Sequence, residues 1–545
     1  MKWQSAAAHL RRLMGAPSAA APALRDSGAV TPVWRALLVA VVGYAYLLRL
    51  VYCAEVELLP EETYYWNYSR HLDFGYLDHP PMVAWLIRLG TLLFGNTEFG
   101  VRFGALCCGV VASIFVFRLA RNLFDEASAL LALVLAQILP FFFFSGMLMT
   151  PDAPLVAAWA ASLYFLERAL VAGRANAWAW AGLCMGLGLL SKYTIGLLGL
   201  SALLFMLLDP SSRGWWRRRE PYTAVLIAAA VFAPVILWNA QHDWASFAFQ
   251  TSRRLAERPR FSLHKLIGGA IVLMTPTGLA AVAAVFIRGR PRPAAGVAPV
   301  PATPDTLARR WRFMQLALFA PLAVFFFFSL RHEVKLDWTG APWVAALPMM
   351  ALGIAEAYRG RAGQAGVWQR AAWPPTLVAL LLMFGAGLYY LVLGIPGIGY
   401  STQMELVPVG WREFGRQIDE VAGEVRRRYG GLLVVGMDRY AIASELAFYS
   451  HDQPKSVLDT SAAHLFGDMG LMYEQWFPPE RQAGRPLLLV AWSRDALAAP
   501  HLERQVERLE DIHEGTLMHD GRLIRHYYYR VALGYRGAPT AARVR

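Results

Sequence analysis

The chain has 545 residues, of which 56% are hydrophobic and only 17% charged, with a mean hydropathy of +0.36. That charge content lies below the roughly 25% of an ordinary soluble domain, and the apolar residues fall in repeated runs of roughly 18–24, the length that crosses a hydrocarbon core; a soluble globular protein is excluded. The net charge of +13 comes with no nucleic-acid recognition motif or basic helix, so nucleic acid is not a partner, and basic residues gathered in inward-facing loops account for the excess.

Residues 1–32, rich in Ala and Arg and without an apolar h-region, read as a cytoplasmic arm rather than a cleaved signal peptide. About eleven spans follow. The first is Val33–Cys53, followed by a polar, aromatic loop over 55–81. Met82–Phe94 is apolar but short, and reads as interfacial or re-entrant. The next spans are Phe99–Leu119, Ala127–Phe144 and Ala153–Val171, then two short ones, Ala175–Leu190 and Tyr193–Leu208, joined at Ser191-Lys192. Tyr222–Trp238, Leu266–Ile287, Phe313–Leu330, Ala341–Ala357 and Ala372–Leu393 complete the set, with a Pro-rich linker at Pro291–Pro304. With the amino terminus inside, alternate loops collect arginines, among them Arg121, Arg174, Arg217 to Arg219, Arg309, Arg310 and Arg359. This positive-inside pattern places the 55–81 loop and the carboxyl-terminal region outside. Residues 33–394 thus form a polytopic helical membrane domain. Residues 395–545 mix an amphipathic helix, Trp411–Tyr429, with apolar strands at Leu432–Val435, Leu487–Ala491 and Arg525–Val531, and are expected to form a soluble α/β domain with its own core. The cysteines Cys53, Cys107, Cys108 and Cys184 lie in apolar runs and read as small buried residues.

The first loop carries the richest chemistry. Pro60 is followed by Glu61, Glu62, Thr63, Tyr64, Tyr65 and Trp66, and Asp78, His79, Pro80 and Pro81 close the loop. Two carboxylates after a proline suit a helix amino terminus through the helix dipole; they also suit acid–base work at a membrane interface, where Tyr and Trp are at home. Other ionisable groups fall on the same outer side: Asp152 at the start of a span, Lys192 and Tyr193 between two short spans, His242 and Asp243, then His332, Glu333, Lys335 and Asp337. One outer loop, 240–265, breaks the positive-inside rule with Arg253, Arg254, Arg258, Arg260 and Lys265. Either a phosphate partner or lipid headgroups would account for those cations.

A cavity at the outer rim, where carboxylates face cations, is the economical reading. A lipid-phosphate sugar would present its anomeric carbon there. Lys192 with Arg253 or Arg254 would stabilise the departing phosphate, and a carboxylate would take the proton of the acceptor hydroxyl or direct its attack. The scheme needs no cofactor and no metal cluster, and neither a DxD pair nor a Gly-rich phosphate loop is evident.

The ordered set Glu61-Glu62-Thr63-Tyr64-Tyr65-Trp66, Asp78-His79-Pro80-Pro81, Met149-Thr150-Pro151-Asp152 and Ser191-Lys192-Tyr193 resembles the C-type membrane glycosyltransferases, in particular the bacterial protein O-mannosyltransferase and lipid A aminoarabinose transferase group. The likeness covers about residues 35–350. It implies inverting transfer of a sugar from a polyprenyl-phosphate donor, on the periplasmic side of a bacterial inner membrane, to a glycolipid such as lipid A, a polysaccharide or a protein. It implies that Glu61, standing where the family usually has Asp, is the base or acceptor-binding group, a role open to Glu62 as well. With the rim reading, the catalytic candidates are Glu61, Glu62 and Asp152, and the substrate-binding candidates are Tyr64, Tyr65, Asp78, His79, Lys192, Tyr193, Arg253, Arg254, His332 and Lys335. His79 stands where the aminoarabinose transferases often carry a phosphate-side lysine, and a neutral imidazole is a poorer phosphate partner. The alternative reading is a transporter or flippase of a lipid-linked or anionic substrate, but no internal repeat of the transporter kind is evident.

Overall fold

The computed structural model describes residues 31–251, 258–288, 304–360, 362–396, 398–400, 408–519 and 521–537. The arm through residue 30, most of the Pro-rich linker, and Arg253 and Arg254 lie outside the described residues. Among the described residues, eight helices are long and apolar enough to cross a membrane: Pro32–Glu55, Glu98–Leu123, Asp152–Val171, Glu220–Gln241, Leu263–Ala284, Thr306–Ser329, Leu336–Tyr358 and Gly366–Leu393. A ninth arises if Tyr193–Leu208 and Pro210–Arg217, bent by 109°, count as one span.

Two of the eleven expected spans differ in form. Ala127–Phe144 is two helices, Glu126–Ile138 and Pro140–Ser145, because Leu139 is extended at φ −68° and ψ 133°. The ring of a following proline disfavours the helical region for the residue before it, and Pro140 supplies that ring. The segment expected over Ala175–Leu190 is a helix of 13 residues, Ala177–Leu189, about 20 Å long. It lies tight against Glu220–Gln241: a Cβ on Gly182 would stand 2.3 Å from the Ala224 carbonyl oxygen, and one on Gly186 would stand 2.7 Å from Val231 Cβ. Close approach through small residues is how helices pack where lipid supplies no hydrophobic drive.

Beyond the last span, helix Trp411–Tyr429 buries Trp411, Phe414, Ile418, Ala422 and Val425 along one face. It covers a six-stranded sheet whose order is β2-β1-β3-β6-β4, with β5 paired to β6. The strands are β1 Leu433–Gly436, β2 Thr460–Ala462, β3 Leu487–Ala491, β4 Arg508–Leu509, β5 His513–His519 and β6 Arg522–Leu533. β1 runs parallel to both β2 and β3, in register Val434↔Thr460 and Val434↔Leu488, and β6 is antiparallel to β3. β1, β2 and β3 are buried throughout, as expected of parallel strands covered on both faces.

Two apolar clusters organise the molecule. One joins the spanning helices. The other joins the appended domain to the first loop: Tyr64, Tyr65, Trp66, Tyr68 and Tyr76 share a core with Phe448, Tyr473 and Phe477. The loop is thus packed as much by the appended domain as by the membrane helices.

Candidate functional site

The loop folds as helix Pro60–Arg70, with Pro60 in its first turn, where the missing N–H costs nothing and φ is already helical. Glu62 closes that turn by accepting the Leu59 amide at 3.1 Å. Its carboxylate also meets Arg102 Nη2 at 2.6 Å and the Met149 amide at 2.9 Å. Arg102, inside the second span, donates in addition to the carbonyls of Tyr52, Val56 and Glu57. It satisfies the Val56 and Glu57 carbonyls past the end of the first span, shares that of Tyr52 with the Val56 amide, and joins that end to the start of the loop helix. Both side chains are sealed from solvent, with 2% exposure for Arg102 and none for Glu62.

Glu61, one residue earlier, points the other way. It lines a cavity of about 960 Å³ together with Tyr64, Tyr65, Asp78, His79, Lys265, Glu333, Lys335, Trp338 and, from the appended domain, Arg439, Tyr440, Met469 and Leu471. The Glu61 carboxyl is open to this cavity yet enclosed by protein, and that enclosure pushes its pKa up. The nearby Asp337 charge adds to the rise, while Lys335 and Lys192 oppose it.

Beside the cavity, Lys192 Nζ lies 2.7 Å from Asp152 Oδ2 and 2.8 Å from Asp337 Oδ2. The ammonium is held between two carboxyl groups, so Lys192 is not an open phosphate site. Lys335 lines the cavity with no ion-pair partner within 4.0 Å among the described residues. Lys265 and Arg260 both pair with Glu333.

Asp78 accepts hydrogen bonds from Tyr68 and, at 3.2 Å, from Tyr64. Burial raises its pKa, and these hydroxyls oppose the rise. The Tyr64 hydroxyl in turn accepts the Met472 amide at 3.2 Å, and its ring lies 4.7 Å from that of Tyr440. Gly75 makes the close turn of the loop possible, since a Cβ there would stand 2.7 Å from the Trp238 ring. Further ties dock the domain. The Glu57 carboxylate accepts the amides of Trp411 and Arg412 at 2.7 and 3.1 Å, which places an anion at a helix amino terminus. Arg412 reaches Glu98 at 2.5 Å, and the Leu58 amide donates to the Tyr449 hydroxyl at 2.7 Å.

Of the residues singled out by sequence, Glu61, Tyr64, Tyr65, Asp78, His79 and Lys335 share the cavity wall. Asp152 and Lys192 stand next to it as an ion-paired unit. Glu62 is withdrawn behind the loop helix. The Tyr193 hydroxyl sits 2.8 Å from Ser246 Oγ, and the His332 ring stacks on Phe328 at 4.7 Å; neither lines the cavity. Arg102, Arg439 and Tyr440 are the residues that sequence reasoning did not select, and Asp337, noted at the outer rim, had been given no role of its own. Among the described residues, no group of three or more His, Cys, Asp or Glu is placed to hold a metal ion.

The family model for dolichyl-phosphate-mannose-protein mannosyltransferase matches residues 78–238, the stretch from Asp78 through Asp152 and Lys192. Over that stretch the chain is similar to membrane glycosyltransferases. Among curated relatives, the lipid A galacturonosyltransferase RgtD of Rhizobium johnstonii is 30% identical over 191 residues, covering 34% of this chain and 38% of that protein. The undecaprenyl phosphate-alpha-4-amino-4-deoxy-L-arabinose arabinosyl transferase of Edwardsiella ictaluri is 28% identical over 204 residues, covering 34% of this chain and 36% of that protein. The match thus spans little more than a third of either relative. The likeness of fold extends much further: ArnT from Cupriavidus metallidurans, solved bound to undecaprenyl phosphate, superposes with a TM-score of 0.62 at 17% identity, covering 94% of this chain and all of that one.

Proposed function

We propose that the chain is an inverting glycosyltransferase that moves a sugar from a polyprenyl-phosphate carrier to a glycolipid of the lipid A kind. The reaction would take place at the periplasmic face of a bacterial inner membrane, on which side the appended domain also lies. The observation that carries the reading is the single cavity in which the Glu61 carboxyl shares a wall with Lys335 and His79. The positive-inside arginine pattern supports the orientation, and the activities named for the two curated relatives support the substrate classes.

In this scheme the carrier's phosphate rests against Lys335 at the membrane edge. The acceptor oxygen attacks the anomeric carbon from the opposite face. The bond from that carbon to the phosphate oxygen breaks, and its electron pair leaves with the polyprenyl phosphate. Lys335 stabilises the charge that grows there. Glu61 accepts the acceptor's hydroxyl proton. Asp152, Lys192 and Asp337 act as a fixed ionic frame that sets the field at Glu61, a reassignment of Lys192 from phosphate binding. Tyr64, Tyr65 and His79 wall the sugar.

The test is release of undecaprenyl phosphate from a panel of undecaprenyl-phosphate sugars by the purified protein in nanodiscs, with and without lipid A. Acceptor-dependent release that falls at least about a hundredfold in Glu61→Gln, roughly 2.7 kcal/mol of transition-state stabilisation, supports the reading. Movement of a labelled carrier between leaflets without sugar release would replace it with a flippase.

A further inference from the structure

The outer wall of the cavity is built by the appended domain. Arg439 and Tyr440 lie in the turn between β1 and helix Ala441–Tyr449. The chain leaves β1 for β2 on one flank and then returns to β3 on the other, and both are parallel to β1. Strand order therefore reverses at β1. In open parallel sheets, ligands bind in the crevice outside the carboxyl end of the strand where that reversal occurs. Here the turn at that position opens into the membrane cavity.

The chemistry of the turn is specific. Asp438 is spent on the helix, accepting the Ile442 amide at 3.1 Å. Arg439 is exposed and donates to Met469 Sδ at 2.8 Å, a weak acceptor. No ion pair engages it among the described residues. Asp78, a carboxylate that feels its charge, already accepts from Tyr64 and Tyr68. Cations thus occupy two separate walls: Lys335 on the side of the spanning helices, and Arg439 on the side of the appended domain. A polyprenyl monophosphate sugar brings one phosphate, and its lipid tail keeps that phosphate at the membrane wall. The exposed guanidinium on the appended domain's wall is open to a second anion.

We infer that Arg439 binds a phosphate or carboxylate carried by the acceptor, with Tyr440 packing against the sugar ring that bears it. This rests on the transferase reading above. It makes the appended domain half of the substrate site and Arg439 a determinant of acceptor choice.

The test measures equilibrium binding to the full-length protein in nanodiscs. The probes are diphosphorylated lipid A, phosphatase-treated lipid A, phosphatase-treated lipid A that keeps carboxylate-bearing core sugars, and undecaprenyl phosphate. Wild type is expected to bind at least one anionic acceptor probe about tenfold more tightly than the uncharged one, and the probe that shows this preference identifies phosphate or carboxylate. Arg439→Gln should erase the preference, Arg439→Lys should keep part of it, and undecaprenyl phosphate should bind all three proteins equally. A preference that survives Arg439→Gln, no preference in wild type, or a parallel loss of undecaprenyl phosphate binding in the variant would each overturn the inference while leaving the transferase reading in place. Failure of wild type to bind undecaprenyl phosphate would remove the transferase reading, and the inference with it.

Discussion

The Glu62 carboxylate meets the Arg102 guanidinium at 2.6 Å with both side chains sealed from solvent, while Glu61, its neighbour in sequence, opens onto the cavity. Two adjacent acids therefore have opposite physical roles. Removing one partner of a buried ion pair leaves an uncompensated charge and costs about 3–5 kcal/mol. Glu62→Ala is expected to lower the thermal unfolding midpoint of the full chain by that order of stability. Glu61→Gln should leave the midpoint unchanged or raised, because it removes a charge that burial already disfavours, and should instead abolish turnover. Unfolding followed by tryptophan fluorescence, beside the release assay, separates the two. Equal destabilisation by both variants would refute the division.

Lys192 holds Asp152 and Asp337 together. Lys192→Met leaves two carboxylates facing each other and is expected to cost on the order of 3 kcal/mol. Asp337→Asn should cost less, about 1 kcal/mol or under, because the Asp337 side chain is 41% exposed and Lys192 keeps Asp152. The order of the two unfolding midpoints checks this, and a milder effect of Lys192→Met would count against the clamp.

Enclosure raises the Glu61 pKa above its ordinary value of 4.5. If Glu61 is the base, it works only when ionised. The rate profile should therefore climb with pH through an acidic limb whose midpoint lies above 4.5. Glu61→Asp should keep a limb at reduced rate, and Glu61→Gln should lose it. The measurement is kcat/KM against pH, which reports the free enzyme's essential base.

Asp438 tests the appended domain by itself. Burial pushes its carboxyl to about 6, against an ordinary 3.8. A raised carboxyl pKa means that the folded state holds its proton more tightly than the unfolded state. The favourable contribution is complete below about 3.8 and is lost as pH rises through about 6. Asp438→Asn, which keeps an oxygen for the Ile442 amide, should stabilise the protein at neutral pH by on the order of 2 kcal/mol and flatten the pH dependence over that window. Wild type and variant unfolding midpoints compared across pH 4 to 7 settle the sign.

The spanning helices were legible because hydropathy acts on each segment separately. Helix Trp411–Tyr429 was read to the residue from the periodicity of its buried face, and strand Leu487–Ala491 from a short, continuous apolar run. The break at Leu139 carried a visible signal in Pro140, which a continuous apolar run concealed. The site divides in the same way. Glu61, Tyr64 and Asp78 lie in one short loop and announced themselves together. Lys192 and Asp337 are 145 positions apart, so their pairing, and the loss of Lys192 as an open cation, has no local mark. Arg102 has no local mark either: only folding brings the carbonyls of Tyr52, Val56 and Glu57 and the carboxylate of Glu62 around it. Arg439 was invisible for a further reason: a turn after a strand gains meaning only when the sheet order is known.

The hydrogen bonds from the Met472 amide to Tyr64 and from the Leu58 amide to Tyr449 bridge 408 and 391 positions of sequence. They set an order of assembly. A ribosome working at roughly 5–20 residues per second takes on the order of tens of seconds to pass from one partner to the other. For that interval the acidic loop has left the ribosome without the part of its packing that the appended domain supplies, and the membrane helices can insert around an unfinished mouth. The nascent protein therefore carries Glu61 long before Tyr449 and Met472 reach the loop, and the mouth of the cavity is completed only once those residues have been made.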